Sequence, residues 1–96
     1  MIIQILDEAE QDLVNGAAFY ERQCQGLGNC FLDSIFADIE SLHLYAGIHA
    51  KYFTYHRLLA KRFPFAIYYR LNAGDINIYA ILDCRMHPSF SRDRLS

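Results

Sequence analysis

Five side chains in the C-terminal half could do acid–base or phosphate chemistry: His56, Arg57, Arg70, Arg85 and His87. Metal-free cleavage of RNA needs one group to take the 2′-hydroxyl proton and another to protonate the leaving oxygen. It also needs cations to hold the charge on the phosphorane. Neighbours along a strand point to opposite faces, so His56 and Arg57 cannot converge without a bulge. Arg70 shares a strand face with Tyr68, and Arg85 follows just past the last strand. Arg70, Arg85 and His87 therefore make the candidate catalytic cluster. A plainer reading stands beside it, in which His87 is a tail histidine next to Pro88 with no chemistry.

Other chemistries have less behind them. Cys24, Cys30 and Cys84 are odd in number and contain no C-x-x-C pair, so they read as reduced thiols. No His or Asp completes a ligand pattern around them, and His43, His49, His56 and His87 have no metal-ligand spacing with Cys84. The sequence calls for no metal and no cofactor. Tyr52, Tyr55, Tyr68, Tyr69 and Tyr79 have the ring faces of stacking platforms, but sheet aromatics more often serve a core or an interface.

Charge is unevenly spread. Residues 1–40 hold eight acids against Arg22 alone, whereas residues 41–96 hold eight bases against Asp75, Asp83 and Asp93. One end of the fold should be negative and another positive. The net charge of -2 is a poor match for a protein that must enter dense phosphate, where basic character supplies most of the affinity.

The elements that must position these residues follow from period and punctuation. The 96 residues, 53% of them hydrophobic, predict a single domain over 1–96 with one modest core. No apolar run has transmembrane length, and no signal-like start appears, so a cytoplasmic protein without membrane contact is expected. Ile2, Ile3, Ile5 and Leu6 predict a short strand. Asp7 with Glu10 resembles a capping box for a helix from about Glu8 to Gln23, whose buried stripe is Ala9, Leu13, Ala17 and Tyr20. Gly16 inside it suggests a close helix crossing. Gly26 and Gly28 break the chain, and Asn29 suits the cap of a second helix from Cys30 to Leu44. Phe31, Leu32, Ile35, Phe36, Ile39 and Leu42 give that helix a wide apolar face.

Near Tyr52 the period changes to two. Strands are predicted over Phe53–Lys61, Phe65–Leu71 and Ile76–Leu82. In the last of these, Ile76, Ile78, Ala80 and Leu82 alternate. The tail from Arg85 reads as polar and loosely held. The expected class is α+β in the order β-α-α-β-β-β, with a helix hairpin on one face of a small antiparallel sheet. The other face is then open.

Several stretches, taken in order, carry a resemblance. Asp12-Leu13 and Phe19-Tyr20-Glu21 look like the first helix of ParE-like proteins, and Gly26-Leu27-Gly28 with Phe31-Leu32 is similar to their inter-helix turn. Arg62-Phe63-Pro64-Phe65-Ala66-Ile67-Tyr68-Tyr69-Arg70 resembles their central hairpin. Ile81-Leu82-Asp83-Cys84-Arg85 with Pro88 resembles their closing strand and basic tail. The chain thus resembles the RelE/ParE toxin superfamily along nearly all its length.

The resemblance implies the toxin half of a toxin–antitoxin pair of the plasmid-stabilisation type. Its cognate antitoxin would wrap it with a C-terminal segment, and a homodimer or a toxin–antitoxin hetero-oligomer is open to it. DNA gyrase would be the target in the ParE manner, with no active site. Ribosome-dependent messenger RNA cleavage in the RelE manner is the alternative, and a relative that only binds an antitoxin is a third. For the partner, Ala66, Tyr68, Arg70 and Tyr79 on the open sheet face are the candidate binding residues.

Overall fold

The computed structural model describes all residues from Met1 to Ser96. Helix α1 spans Asp7–Gln23 and α2 spans Leu27–Glu40, with a single further turn, α3, over Leu42–Tyr45. The capping box does not form. Leu6 is the cap residue, without a side-chain bond, and Asp7 is already helical. Asp7, Glu8 and Glu10 still sit in the first turn, where the helix dipole favours carboxylates.

Helix α2 starts earlier than Asn29 suggested, because its cap comes from the preceding helix. The Glu21 carboxylate accepts the backbone N–H groups of Gly26 and Gly28, both at 3.0 Å. Those two bonds hold the Glu21 carboxyl below the usual carboxylate range. The crossing of α1 and α2 is close. A Cβ on Gly16 would lie 2.7 Å from the Phe31 ring, and one on Gly28 would lie 2.7 Å from the Ala17 carbonyl oxygen. The buried face of α2 is narrower than its composition implied: Phe31, Ile35 and Ile39 are buried, whereas Phe36 is exposed.

Five strands form one sheet in the order β1-β5-β4-β3-β2: β1 Ile3–Ile5, β2 Lys51–Tyr52, β3 Tyr55–Leu59, β4 Phe65–Asn72 and β5 Asp75–Asp83. Strands β2 to β5 are antiparallel neighbours, but β1 lies parallel to β5, so the sheet is mixed. The strand expected over Phe53–Lys61 is the shorter β3; its first two residues instead form a tight turn from β2, in which Phe53 takes a φ of 58°. The turn between β4 and β5 also has positive φ at both central residues, Ala73 and Gly74, as hairpins with right-twisted strands prefer.

The alternation expected along β5 is broken by a bulge. Tyr69 pairs with Ile78 and Tyr68 with Ala80, so Tyr79 is the extra residue. Ile76 and Ile78 therefore face the helices, Ala80 and Leu82 face the opposite side, and Ile81 returns to the helical side. That side forms the main core, where Phe31 packs edge-on against Phe63 and Phe65 with centroids 5.2 and 4.9 Å away.

The tail is not loose. Pro88–Leu95 forms α4, with His87 as its cap, Pro88 in the first turn, and Arg92 and Arg94 in the last. Leu95 packs with Ala66, Tyr68, Ala80 and Leu82 in a second, smaller cluster on the other face. The sheet thus has cover on both faces. The helix carries only one strongly anchored apolar residue, so no helical periodicity announced it. What docks it is distant in sequence: Arg94 donates to both Asp12 carboxylate oxygens, at 2.8 and 2.9 Å.

Candidate functional site

Between the start of α4 and the sheet lies a cleft of about 310 Å³, lined among others by Tyr52, Arg57, Tyr68, Cys84 and His87. Strand β3 supplies Arg57, directly opposite Tyr68 of β4, and the guanidinium lies 5.7 Å from the centre of the Tyr52 ring. The end of β5 and the loop after it bring Cys84 and His87 to the far wall. Burial pushes the Tyr68 phenol up, with Arg57 pulling the other way. Partial desolvation likewise pushes the Cys84 thiol up, against Arg57 and with help from Asp83. Cys84 is therefore a protonated thiol at neutral pH, unsuited to nucleophilic attack.

His87 is committed to structure. Its Nδ1 accepts the Ser89 backbone N–H at 3.1 Å, which is the cap of α4. With Nδ1 used as an acceptor, the neutral ring carries its proton on Nε2. The cleft can thus offer an anion two donors, the Arg57 guanidinium and His87 Nε2–H. A free imidazole lone pair to take a proton would require giving up the cap.

Arg70, Arg85 and His87 do not come together. Arg70 pairs with Asn77, whereas Asp83 pairs with Phe65, five positions along β4 and roughly 17 Å away at about 3.4 Å per residue. Arg70 is clamped between Tyr55 and Tyr79, with its guanidinium carbon 4.1 and 5.1 Å from the ring centres, and it donates to Thr54 Oγ1. Arg85 turns to α1. It holds Asp83 through Nη2 at 2.7 Å and Nε at 3.0 Å, and reaches the Tyr20 hydroxyl at 3.3 Å. Each guanidinium is tied elsewhere, and only His87 of the three lines the cleft.

The residue that joins His87 there is Arg57. Alternation alone places Arg57 on the face of Tyr68, so the signal was present in the sequence. It was set aside together with His56, because strand neighbours point to opposite faces and the two could not converge. His56 in fact stacks on Tyr69 on the helical side, at 5.1 Å. No set of three His, Cys, Asp or Glu side chains gathers where it could hold a metal ion.

The candidate partner residues divide. Ala66 and Tyr68, expected to lie open, are only 1% and 4% exposed, because α4 and the rings of Tyr52 and Tyr55 flank them. Arg70 and Tyr79 stay partly accessible as members of the Tyr55–Arg70–Tyr79 stack. No helix is long and apolar enough to cross a membrane.

No family model matches the chain, and no curated protein matches it. Among solved structures, a chain from the chromosomal ParDE TA system of P. aeruginosa has the same fold. The TM-score is 0.70 at 19% sequence identity, over 84% of this chain and 92% of that one. The ParE-like α+β architecture expected from the sequence is therefore the one this chain adopts.

Proposed function

We propose that this chain is a ParE-like toxin of the RelE/ParE superfamily, the toxic half of a type II toxin–antitoxin pair in the cytoplasm, held inactive by a small antitoxin. Two independent lines support the reading: the ordered set of sequence stretches that resemble the family, and the shared fold with a chain of a ParDE system. Its action is directed at a protein, DNA gyrase, rather than at RNA. The observation that carries this choice is the separate engagement of the candidate catalytic groups. Arg70 is stacked between two tyrosines, Arg85 is bound to Asp83, and His87 spends its Nδ1 on the cap of α4. General acid–base catalysis needs such groups within hydrogen-bond reach of one substrate. The acidic balance of the chain, net -2, points the same way, since ribosome entry favours a basic surface.

The test is conditional expression, followed by two assays on the purified chain. On this reading, DNA supercoiling by gyrase is inhibited and messenger RNA on ribosomes stays intact. Cleavage of ribosome-bound RNA by the wild type would overturn it in favour of the nuclease. Inactivity in both assays, with growth unaffected, would leave a non-toxic antitoxin-binding relative.

A further inference from the structure

The two edges of the sheet are finished differently. At one edge β2 is two residues long, carries Lys51 and ends in the turn at Phe53. Beside it β3 carries Arg57, with Lys61 and Arg62 just beyond. Cations, short length and a break are the means by which an edge strand refuses another strand. The opposite edge is β1. It too is short, but the segment Ile2-Ile3-Gln4-Ile5-Leu6 has no charge, no proline and no glycine.

The register fixes which backbone groups of β1 are free. Ile76 N–H donates to the Ile2 carbonyl at 2.8 Å, and Leu6 N–H donates to the Ile78 carbonyl at 3.0 Å. Even-numbered residues therefore turn their backbone groups to β5. Backbone groups alternate in direction along a strand, so the N–H and C=O of Ile3 and Ile5 point away from the sheet. No further strand of the chain lies beyond β1.

The segment is also symmetric in character about Gln4, with Ile3 and Ile5 on one side of the pleat and Ile2 and Leu6 on the other. Two copies laid antiparallel about a two-fold axis through Gln4 would set Ile3 opposite Ile5 of the second copy. Those are the residues with outward groups, so each such pair would exchange both its hydrogen bonds. The half-buried side chains of Ile3 and Ile5, already packed on the helical core, would lose their remaining exposure. On the other face Ile2, now 67% exposed, would meet Leu6, and the two Gln4 side chains would lie side by side. Like charges do not meet within the strand. Of the acids in the first turn of α1, Asp7, Glu8 and Glu10, Glu8 is engaged by Arg94.

We infer that β1 is a homotypic docking edge, to which a second copy of this chain adds antiparallel, making one sheet continuous across the dimer. The contact is isologous and closed. It is small against the roughly 1,600 Å² of a standard interface, so the dimer is weak and concentration-dependent.

Gln4 supplies the test, because its side chain is exposed and its substitution leaves the bonds to β5 in place. In sedimentation velocity of the full chain, the wild-type mass should rise from 11.2 kDa toward twice that value with concentration. Gln4→Lys and Gln4→Glu should each stay monomeric over the same range, with unchanged unfolding midpoints, because like charges would sit directly opposite each other on the axis. An equimolar mixture of the two variants should regain the dimer. A wild type that stays monomeric throughout would overturn the inference, as would a dimer that both single variants retain. Failure of the mixture to reassociate would overturn it too, since the two-fold through Gln4 is what the mixture reads.

Discussion

Asp12 of α1 and Arg94 of α4 meet beside β5 past the end of β1, with two guanidinium nitrogens on one carboxylate at 2.8 and 2.9 Å. The same carboxylate accepts the Ile81 backbone N–H at 3.0 Å, a donor that the bulged strand leaves without a strand partner. One side chain thus ties the helical layer, the sheet edge and the C-terminal helix together. Bidentate charged bonds of this kind are worth about 1.5–3 kcal/mol. The pair is mostly shielded from water, with the side chains 11% and 22% exposed, so the surface-pair discount applies only in part.

Arg94→Ala should therefore lower stability by about 1–3 kcal/mol and loosen α4. Asp12→Ala should cost more, because it also strands the Ile81 N–H. Urea unfolding measures the first effect, and limited trypsin digestion after Arg85 reads the second. An Arg94→Ala protein as stable and as protease-resistant as the wild type would mean that Leu95 alone holds the helix.

Gly16→Ala pits propensity against packing. Alanine gains about 1 kcal/mol in a helix interior, but its Cβ would lie 2.7 and 2.8 Å from two Phe31 ring atoms. That ring is enclosed by Tyr20, Phe63 and Phe65, and overpacking costs about 1–3 kcal/mol. The substitution should destabilise the wild type. In a Phe31→Leu background, where the ring is gone, the same change should stabilise. Equal effects in both backgrounds would show that the crossing does not depend on Gly16.

Stability should fall in mild acid through His49. Its Nδ1 lies 2.5 Å from the Tyr69 hydroxyl, which already accepts the Gly47 N–H at 2.9 Å. In the neutral ring with Nδ1 unprotonated, the hydroxyl can donate to it while accepting the Gly47 N–H. Burial, followed by the neighbouring His56, holds its pKa below the ordinary histidine value of 6.5. The unfolded chain binds the proton more readily than the folded one. The contribution is therefore fully present above about 6.5 and is lost as the pH falls through that value toward the lower folded pKa. Thermal midpoints at several pH values should show the decline, and His49→Asn, which keeps an acceptor but does not titrate, should flatten it. An unchanged slope in that variant would place the decline elsewhere.

Cys84 should alkylate slowly. Its thiol is held up by partial desolvation, and only the thiolate reacts. Iodoacetamide at neutral pH should modify it more slowly than a free thiol in water, and Arg57→Ala should slow it further by removing the one cation that favours the thiolate. A rate equal to that of a free thiol would contradict the assignment of its environment.

The sequence by itself determined the helix hairpin, the antiparallel strands near their true bounds and the superfamily likeness. These rest on local matters: the 3.6 and 2.0 periods and the Gly26–Gly28 break. Tertiary structure decided the rest, because each remaining feature depends on a partner far along the chain. The bulge at Tyr79 reverses which residues of β5 face the helices, and no change in composition marks it. Helix α4 has almost no apolar stripe and is docked by Arg94 on Asp12, so a polar tail read as loose became the cover over Ala66 and Tyr68. The candidate cluster of Arg70, Arg85 and His87 came apart for the same reason. Strand parity says which face a residue takes, but only the register of β4 on β5 says how far along the sheet it lies. Distance along the sheet is set by pairing, and pairing is a property of the folded chain.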